Sequence, residues 1–378
     1  MSLASIRIGI PKERKANEKR VALIPEDIQF LVNEKRALVK IETGAGVGSG
    51  YQDSDYKSAG ANIVNSLEDV WKDIDLLVKV KEPAPEEYKF LRKGLMVFSF
   101  LHPAASKDLT LALLDSGVTG LDYDLVEAER SQEESVPRFP ILEPMSRIAG
   151  RLSIQCGAQA LLSQYGGPGI LLDGIGGAPR TEVLVIGGGI SGTEACIRAN
   201  ALSASVTVLD IKEEKLKALS TLCPGISTRI STPESVAECL KTADLIIGAV
   251  LIPGAKAPTI LNRSLLKTCK KNAVFVDIAI DQGGISETSR PTTIAEPSYL
   301  EEGVIHLCVA NMPSMAPRTA TLLLRKETMP YITALCEKPL SDLLKSNYGL
   351  GKSLVCRDGV LTNKAIGESF GIKYEELG

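Results

Sequence analysis

Glu182-Val183-Leu184-Val185-Ile186-Gly187-Gly188-Gly189-Ile190-Ser191-Gly192 joins a short apolar run directly to Gly-x-Gly-x-x-Gly. The helix formers Thr193 to Ala199 follow, and a second apolar run, Val206 to Leu209, ends in Asp210. Strand, glycines, helix, strand and acid in this order form a dinucleotide cradle. Gly187 allows the tight turn, Gly189 lets the backbone approach a pyrophosphate, and Gly192 lets helix and strand pack closely. The helix N-terminus directs its N–H groups at the phosphates. Asp210 stands 23 positions after Gly187, close to the roughly 20 expected of the acid that binds the ribose hydroxyls. An acid rather than an arginine there favours NAD over NADP. The alternative reading of the glycines is a turn in a parallel sheet with no ligand.

Outward from this stretch, apolar runs alternate with helical segments in both directions. Before it, strands are expected at Ile6 to Ile10, Leu38 to Glu42, Leu76 to Val80, Met96 to Phe100 and Val118 to Tyr123. Helices are expected from Pro25, around Leu67 to Trp71, after Pro85 and from Lys107 to Leu114. Gly44, Gly46, Gly48 and Gly50 read as turn chemistry. From Glu127 to Pro137 the chain is polar and loses its periodicity, marking a domain boundary. A helix from about Met145 to Leu162 precedes strands near Ile170, Val183, Val206, Thr228, Leu245, Val274 and Val304 to Val309. A helix from about Ala320 to Leu344 and a short strand or helix in Val360 to Leu377 close the chain. Nothing there completes a third core, so this segment is expected to return to the first domain.

The fold class is therefore α/β, with two doubly wound Rossmann-like domains and a cleft between them. The expected division is 1–140 with 318–378 for substrate and catalysis, and 141–317 for the dinucleotide.

Composition narrows the function. The 378 residues suit roughly two cores. A net charge of −3 offers no basic field for nucleic acid or acidic lipid. Only 4% of residues are aromatic, which argues against stacking platforms for single strands. The eight cysteines form no Cys-x-x-Cys pair and have only two histidines beside them, so no metal site is expected. They read as small buried hydrophobes in a reducing cytosol. Met1 to Lys15 lacks an apolar core of signal-peptide length. Leu245 to Leu251 is far short of the about 20 residues of a membrane span. A cytoplasmic protein is expected.

Ligands of such sheets bind beyond the carboxyl ends of the strands. Four polar residues stand near such ends: Arg20 before Val21, Lys81 after Leu77 to Val80, His102 after Met96 to Leu101, and Asp281 after Val274 to Ile280. Two cations, an imidazole and a carboxylate suit oxidation of an amino or hydroxy acid. Arg20 can clamp a carboxylate through its planar fork, and Lys81 adds point charge. His102 can exchange protons near neutrality. Each also has a plainer reading. Arg20 belongs to the basic run Lys12 to Arg20, Lys81 is a strand-end charge, Asp281 shapes a turn with Gly283 and Gly284, and His102 is a loop residue before Pro103. His306, inside an expected buried strand, reads as structural.

Longer runs carry a resemblance. Ile8-Gly9-Ile10-Pro11-Lys12-Glu13 with Arg20-Val21-Ala22, then Glu42 to Gly46, Lys79 to Pro83 and Phe100 to His102, open it. Ile247 to Pro258, Asp277 to Gly284, Arg290 to Thr293 and Val309 to Pro313 continue it. In these residues the chain resembles the alanine dehydrogenases, in the superfamily that also holds the nucleotide-binding part of transhydrogenases. The resemblance implies that Arg20 and Lys81 bind the substrate carboxylate and that His102 and Asp281 are catalytic. It places Ser146, Asp210, Lys215, Ser231, Val250, Leu251, Val309, Ala310, Asn311 and Met312 along the NAD site. It implies alanine, pyruvate and ammonia as small-molecule partners, and a homo-hexamer. Arg147 stands where Glu is usual, Asp124 where Glu is usual, and Pro103 where Leu is common, and the polar stretch 127–138 is longer than expected. Two other readings remain: a dehydrogenase for another amino or imino acid such as saccharopine, and a transhydrogenase-like subunit that holds NAD(H) and passes hydride to a partner protein. The second would need no acid–base group such as His102.

Overall fold

The computed structural model describes residues 5–130, 137–251 and 256–375. The chain divides into two compact units, Met1–Met145 with Ala316–Gly378, and Ser146–Met315. The division falls within the helix Leu142–Ala160. The polar boundary stretch falls partly on residues 131–136, outside the described residues, as do 252–255 of the Ile247 to Pro258 run.

The strands in chain order are β1 (Arg7–Ile10), β2 (Leu38–Glu42), β3 (Asn62–Val64), β4 (Leu76–Val78), β5 (Met96–Ser99) and β6 (Thr119–Asp122). Then come β7 (Glu182–Ile186), β8 (Ser205–Asp210), β9 (Ser227–Ile230), β10 (Leu245–Gly248), β11 (Val274–Asp277), β12 (Ser298–Glu301) and β13 (Val304–Leu307). Last are β14 (Leu354–Arg357) and β15 (Val360–Leu361).

The first unit holds the sheet β15-β14-β6-β5-β4-β1-β2-β3, and the second holds β12-β13-β11-β10-β7-β8-β9. The central ladders of both are parallel, as strands alternating with helices require. Antiparallel pairing occurs only toward an edge among the described strands: β6 with β14, β14 with β15, and β12 with β13. The fold is thus two doubly wound α/β sheets.

The returning C-terminal segment joins the first unit in two ways. β14 and β15 extend its sheet, and the helix Pro317–Glu337 packs near the helix Pro25–Lys35. Arg325 pairs with the buried carboxylate of Asp27, which also accepts the backbone N–H of Ile24 at 3.1 Å. Asp27 thereby serves both the helix start and the junction of residues 298 positions apart.

β7 is buried on both faces, with Val183, Leu184, Val185 and Ile186 at most 2% exposed. Burial of each such side chain is worth roughly 1.5–3 kcal/mol, so this run cannot sit at a surface. Gly187 then takes φ +106°, where an L side chain is strained. A Cβ on Gly192 would lie 1.8 Å from the Gly187 carbonyl oxygen. Only glycine lets the helix Ile190–Ala201 begin so close to the strand.

Three local expectations need correction. No strand forms near Ile170. Gly166 and Gly169 take left-handed conformations, and the N–H groups of Gly169 and Ile170 both donate to the Leu161 carbonyl, folding the segment onto the helix end. The helix expected over Ala320 to Leu344 is two, Pro317–Glu337 and Leu340–Ser346. Lys338 is extended because it precedes Pro339. The eight cysteines are free, but Cys156, Cys239, Cys269 and Cys336 are only partly buried. His306 is fully buried, bonded to Thr288 Oγ1 at 2.7 Å and to the Val304 carbonyl at 2.9 Å. Among the described residues, no helix is long and apolar enough to cross a membrane.

Candidate active site

In the second unit the candidate residues follow the carboxyl ends of successive parallel strands. Gly187 follows β7, Asp210 ends β8, Ser231 follows β9, Val250 and Leu251 follow β10, Asp281 follows β11, and Val309 to Met312 follow β13. Asp210 is 7% exposed. Its carboxylate accepts the Gly188 N–H at 2.7 Å and the Lys212 N–H at 2.8 Å, and Lys215 Nζ lies 3.7 Å away. The acid is therefore fixed against the glycine turn. Ser231 N–H donates to the Asp210 carbonyl at 2.9 Å, and Val250 packs against Gly187. Ser146 accepts the Ser191 hydroxyl on its carbonyl at 2.9 Å, which joins it to the first turn of the same helix. Space beside the turn forms an open cavity of about 320 Å³ lined by Arg147, Gly188, Gly189, Ile190, Thr193 and Lys215. A Cβ on Gly189 would meet nothing within 4 Å, so the backbone faces open space there.

Asp281 lies on the 3₁₀ turn Ile278–Gln282 and is exposed. Both its oxygens stand 3.0 Å from the backbone N of Asn311, which adopts φ 55°. The turn itself is shaped by Asp277. That fully buried carboxylate accepts from Ala279 N, Ile285 N and Ser289 Oγ at 3.1, 2.8 and 2.6 Å. Burial raises the Asp277 carboxyl above its ordinary range. The turn-shaping role considered for Asp281 thus belongs to Asp277.

In the first unit, Lys81 and His102 follow β4 and β5, and Arg20 lies in the long connection after β1. Arg20 is 2% exposed and Lys81 7%. Arg20 is not a solvated member of a basic run. Its Nε and Nη2 hold Glu18 at 2.8 and 2.6 Å, and its Nη1 lies 3.3 Å from Met145 Sδ. Beside these lie Lys79, paired with Glu87 with both side chains fully buried, and Glu13, which accepts Val80 N–H at 2.7 Å and Lys81 N–H at 3.3 Å. Burial pushes the Glu13 carboxyl up to about 7, against the pull of Lys79.

His102 sits at φ 44° and ψ 45°, unusual for a residue before proline. Its Nε2 lies 3.1 Å from Asp124 Oδ2, its Nδ1 3.5 Å from Glu82 Oε2, and its ring stacks on Phe100. Burial alone would raise the Glu82 carboxyl, but His102, Lys81 and Lys15 together hold it well below the ordinary range. Asp122, nearly buried, accepts the N–H groups of Leu101 and Asp124, both at 3.1 Å, and so ties the His102 turn to its Asp124 partner. Glu13 and Glu82 were not singled out in the sequence, although both stand inside the runs that carry the resemblance; Asp124 was noted only as a departure from the family pattern.

The Glu13 shift has a consequence for stability. A carboxyl raised in the folded state keeps its proton while the unfolded chain, with the ordinary glutamate value of 4.5, releases it. Stability then falls as pH rises from 4.5 to about 7 and levels off above. Asp122, pushed up to about 7 by burial and by Asp124, acts in the same sense. Glu13→Gln is expected to flatten this fall by up to one proton, about 1.4 kcal/mol per pH unit. Urea unfolding at a series of pH values reads it, and an unchanged slope would refute the assignment.

Two family models together match most of the chain: "Alanine dehydrogenase/PNT, N-terminal domain" over residues 9–149 and "Alanine dehydrogenase/PNT, C-terminal domain" over 153–364. An alanine dehydrogenase of Staphylococcus haemolyticus (strain JCSC1435) is 45% identical over 375 residues, covering 98% of each chain. An alanine dehydrogenase 2 of Staphylococcus aureus (strain USA300) is 44% identical over 375 residues, again covering 98% of each. A solved L-alanine dehydrogenase superposes with TM-score 0.90 at 41% identity, over 97% of this chain and 99% of that one. A transhydrogenase from Sinorhizobium meliloti shares the fold, with TM-score 0.78 at 24% identity over 95% of this chain and 99% of that one. With both halves matched in order and nearly the full length aligned, the chain belongs to the alanine dehydrogenase/PNT family.

Proposed function

We propose that this protein catalyses the NAD-dependent oxidative deamination of L-alanine to pyruvate and ammonia, and the reverse reductive amination. The observation that carries the reading is that Arg20 and Lys81 are buried cations of the first unit, and that Lys81 and His102 both lie against the Phe100 ring. A module that only holds NAD(H) needs no such acid–base group.

The residues fit a dinucleotide. Gly187 and Gly192 could not carry side chains, Gly189 faces open space, and Asp210 is fixed at the turn to meet ribose hydroxyls. Gly187, Gly189, Gly192, Asp210, Lys215, Ser231 and Val250 would hold NAD, with Ser146, Leu251 and Val309 to Met312 completing the site. When bound, NAD would supply the acceptor for the hydride that leaves the substrate Cα.

Arg20 and Lys81 hold the substrate carboxylate and fix the orientation of Cα. Asp281 takes a proton from the water that adds to the imine carbon. His102 donates a hydrogen bond to the developing carbonyl oxygen and exchanges its proton, with Asp124 and Glu82 holding the ring. The protonated amine then leaves as ammonia and pyruvate remains. The functional division is 1–140 with 318–378 for substrate and 141–317 for cofactor. The assembly is a homo-hexamer and the compartment the cytoplasm, as the family resemblance implies.

L-Alanine with NAD is expected to yield NADH. Catalytic efficiency with NAD should exceed that with NADP by at least about tenfold, because the Asp210 carboxylate repels a 2′-phosphate. Equal efficiency with both would refute the role of Asp210. No NADH formation from L-alanine would refute the reaction.

A further inference from the structure

We propose that Arg147 is a diphosphate ligand of the dinucleotide, held at the cavity by Glu194; this rests on the dinucleotide reading above.

Two cationic side chains line the 320 Å³ cavity beside the glycine turn, Lys215 and Arg147. Lys215 stands 3.7 Å from Asp210 and so faces the acid assigned to the ribose. Arg147 comes from the helix Leu142–Ala160, far from the turn in sequence, and is brought to it by close helix packing. A Cβ on Gly150 would lie 2.2 Å from the Ser191 carbonyl oxygen, and the Ser191 hydroxyl bonds the Ser146 carbonyl. The helix carrying Arg147 therefore runs directly over the first turn of the helix that follows the glycines.

Glu194, on that second helix and 2% exposed, holds the arginine in place. Arg147 Nη1 donates to one of its oxygens at 2.7 Å, and Arg151 Nε donates to the other at 2.8 Å. Burial alone would raise this carboxyl, but Arg151 and Arg147 keep it below the ordinary range. Arg147 thus presents a guanidinium at the mouth of a glycine turn. A dinucleotide brings two negative charges to that place. A planar guanidinium can serve a carboxylate on one side and a phosphate on another, and such bonds are charge-assisted. Orientation by Glu194 lowers the cost of ordering a long side chain on binding.

Arg151 supplies an internal control. It makes the same kind of pair with Glu194 but does not line the cavity. A purely structural role for the cluster would treat the two arginines alike.

The test is calorimetric titration of the full-length protein with ADP, a probe that carries the adenosine diphosphate half alone. Wild type, Arg147→Gln, Arg147→Lys and Arg151→Gln are compared at two salt concentrations. Arg147→Gln is expected to weaken ADP binding about tenfold or more, as loss of a hydrogen bond to a charged group does. Its affinity should also depend less on salt. Arg147→Lys should fall between it and wild type, and Arg151→Gln should match wild type. ADP binding to Arg147→Gln at wild-type strength would overturn the proposal, and so would equal weakening in the Arg147 and Arg151 variants. A wild-type protein that fails to bind ADP would instead overturn the dinucleotide reading itself.

Discussion

His102→Gln and Asp281→Asn are each expected to lower turnover with pyruvate and ammonium by roughly two orders of magnitude or more, the range typical of general acid–base groups. The two substitutions suit the geometry. Asparagine at 281 keeps an oxygen to accept the Asn311 N–H, which now stands 3.0 Å from both carboxylate oxygens, so the turn keeps its anchor while the base is lost. Asp277, which bonds three groups of the turn, is untouched. Glutamine at 102 can still donate toward Asp124 but cannot carry a proton between states. NADH binding should survive both changes, because neither residue belongs to the glycine turn. Groups acting as one unit are strongly non-additive, so the double variant should be little worse than the worse single. Stopped-flow or steady-state turnover, with NADH fluorescence as the binding control, decides the matter. Near-normal turnover in either single variant would remove that residue from the mechanism.

Arg20→Lys is expected to raise the KM for pyruvate by roughly 10- to 100-fold although the charge is kept. The proposed role asks two tasks of the guanidinium at once: holding the buried Glu18 through Nε and Nη2, and meeting the substrate carboxylate. A lysine ammonium is a single point and cannot reproduce that fork. Hydrogen bonds to charged groups are worth about 1.5–3 kcal/mol, which sets the expected range. NADH affinity should not move. Because Glu18 is also buried, a fall in melting temperature is expected alongside. An unaltered KM for pyruvate would return Arg20 to a purely structural pairing with Glu18.

The strand β7 and the glycine turn were legible because their signals are local: an unbroken apolar run, then glycines at fixed spacing. The parallel order of both sheets followed from alternation of runs and helical segments. The edge strand Ser298–Glu301 was not anticipated, because its residues alternate between exposed and half-buried and carry no apolar run. The strand expected near Ile170 failed for the opposite reason. Its short apolar run, Ile170 to Leu172, lies among glycines whose left-handed conformations turn the backbone back.

The surroundings of the candidate residues were mostly hidden, because they are tertiary. Nothing local in the sequence says that Glu82 and Asp124, 42 positions apart, flank one imidazole. Nor does anything local show that Arg147 meets Glu194, 47 positions away. Glu13 sat in a quoted run, yet its proton affinity comes from burial, which no local pattern reveals. The Arg20 fork was read as open for a carboxylate, and Glu18, two positions away, holds half of it.

The central claim is tested most directly by mixing purified protein with NADH, pyruvate and ¹⁵N-ammonium and following both NADH loss and labelled product. The account expects one L-alanine carrying ¹⁵N for each NADH oxidised. It also expects pyruvate to be the best substrate in a panel of keto acids. Absence of labelled alanine, or NADH consumption with no dependence on ammonium, would contradict it.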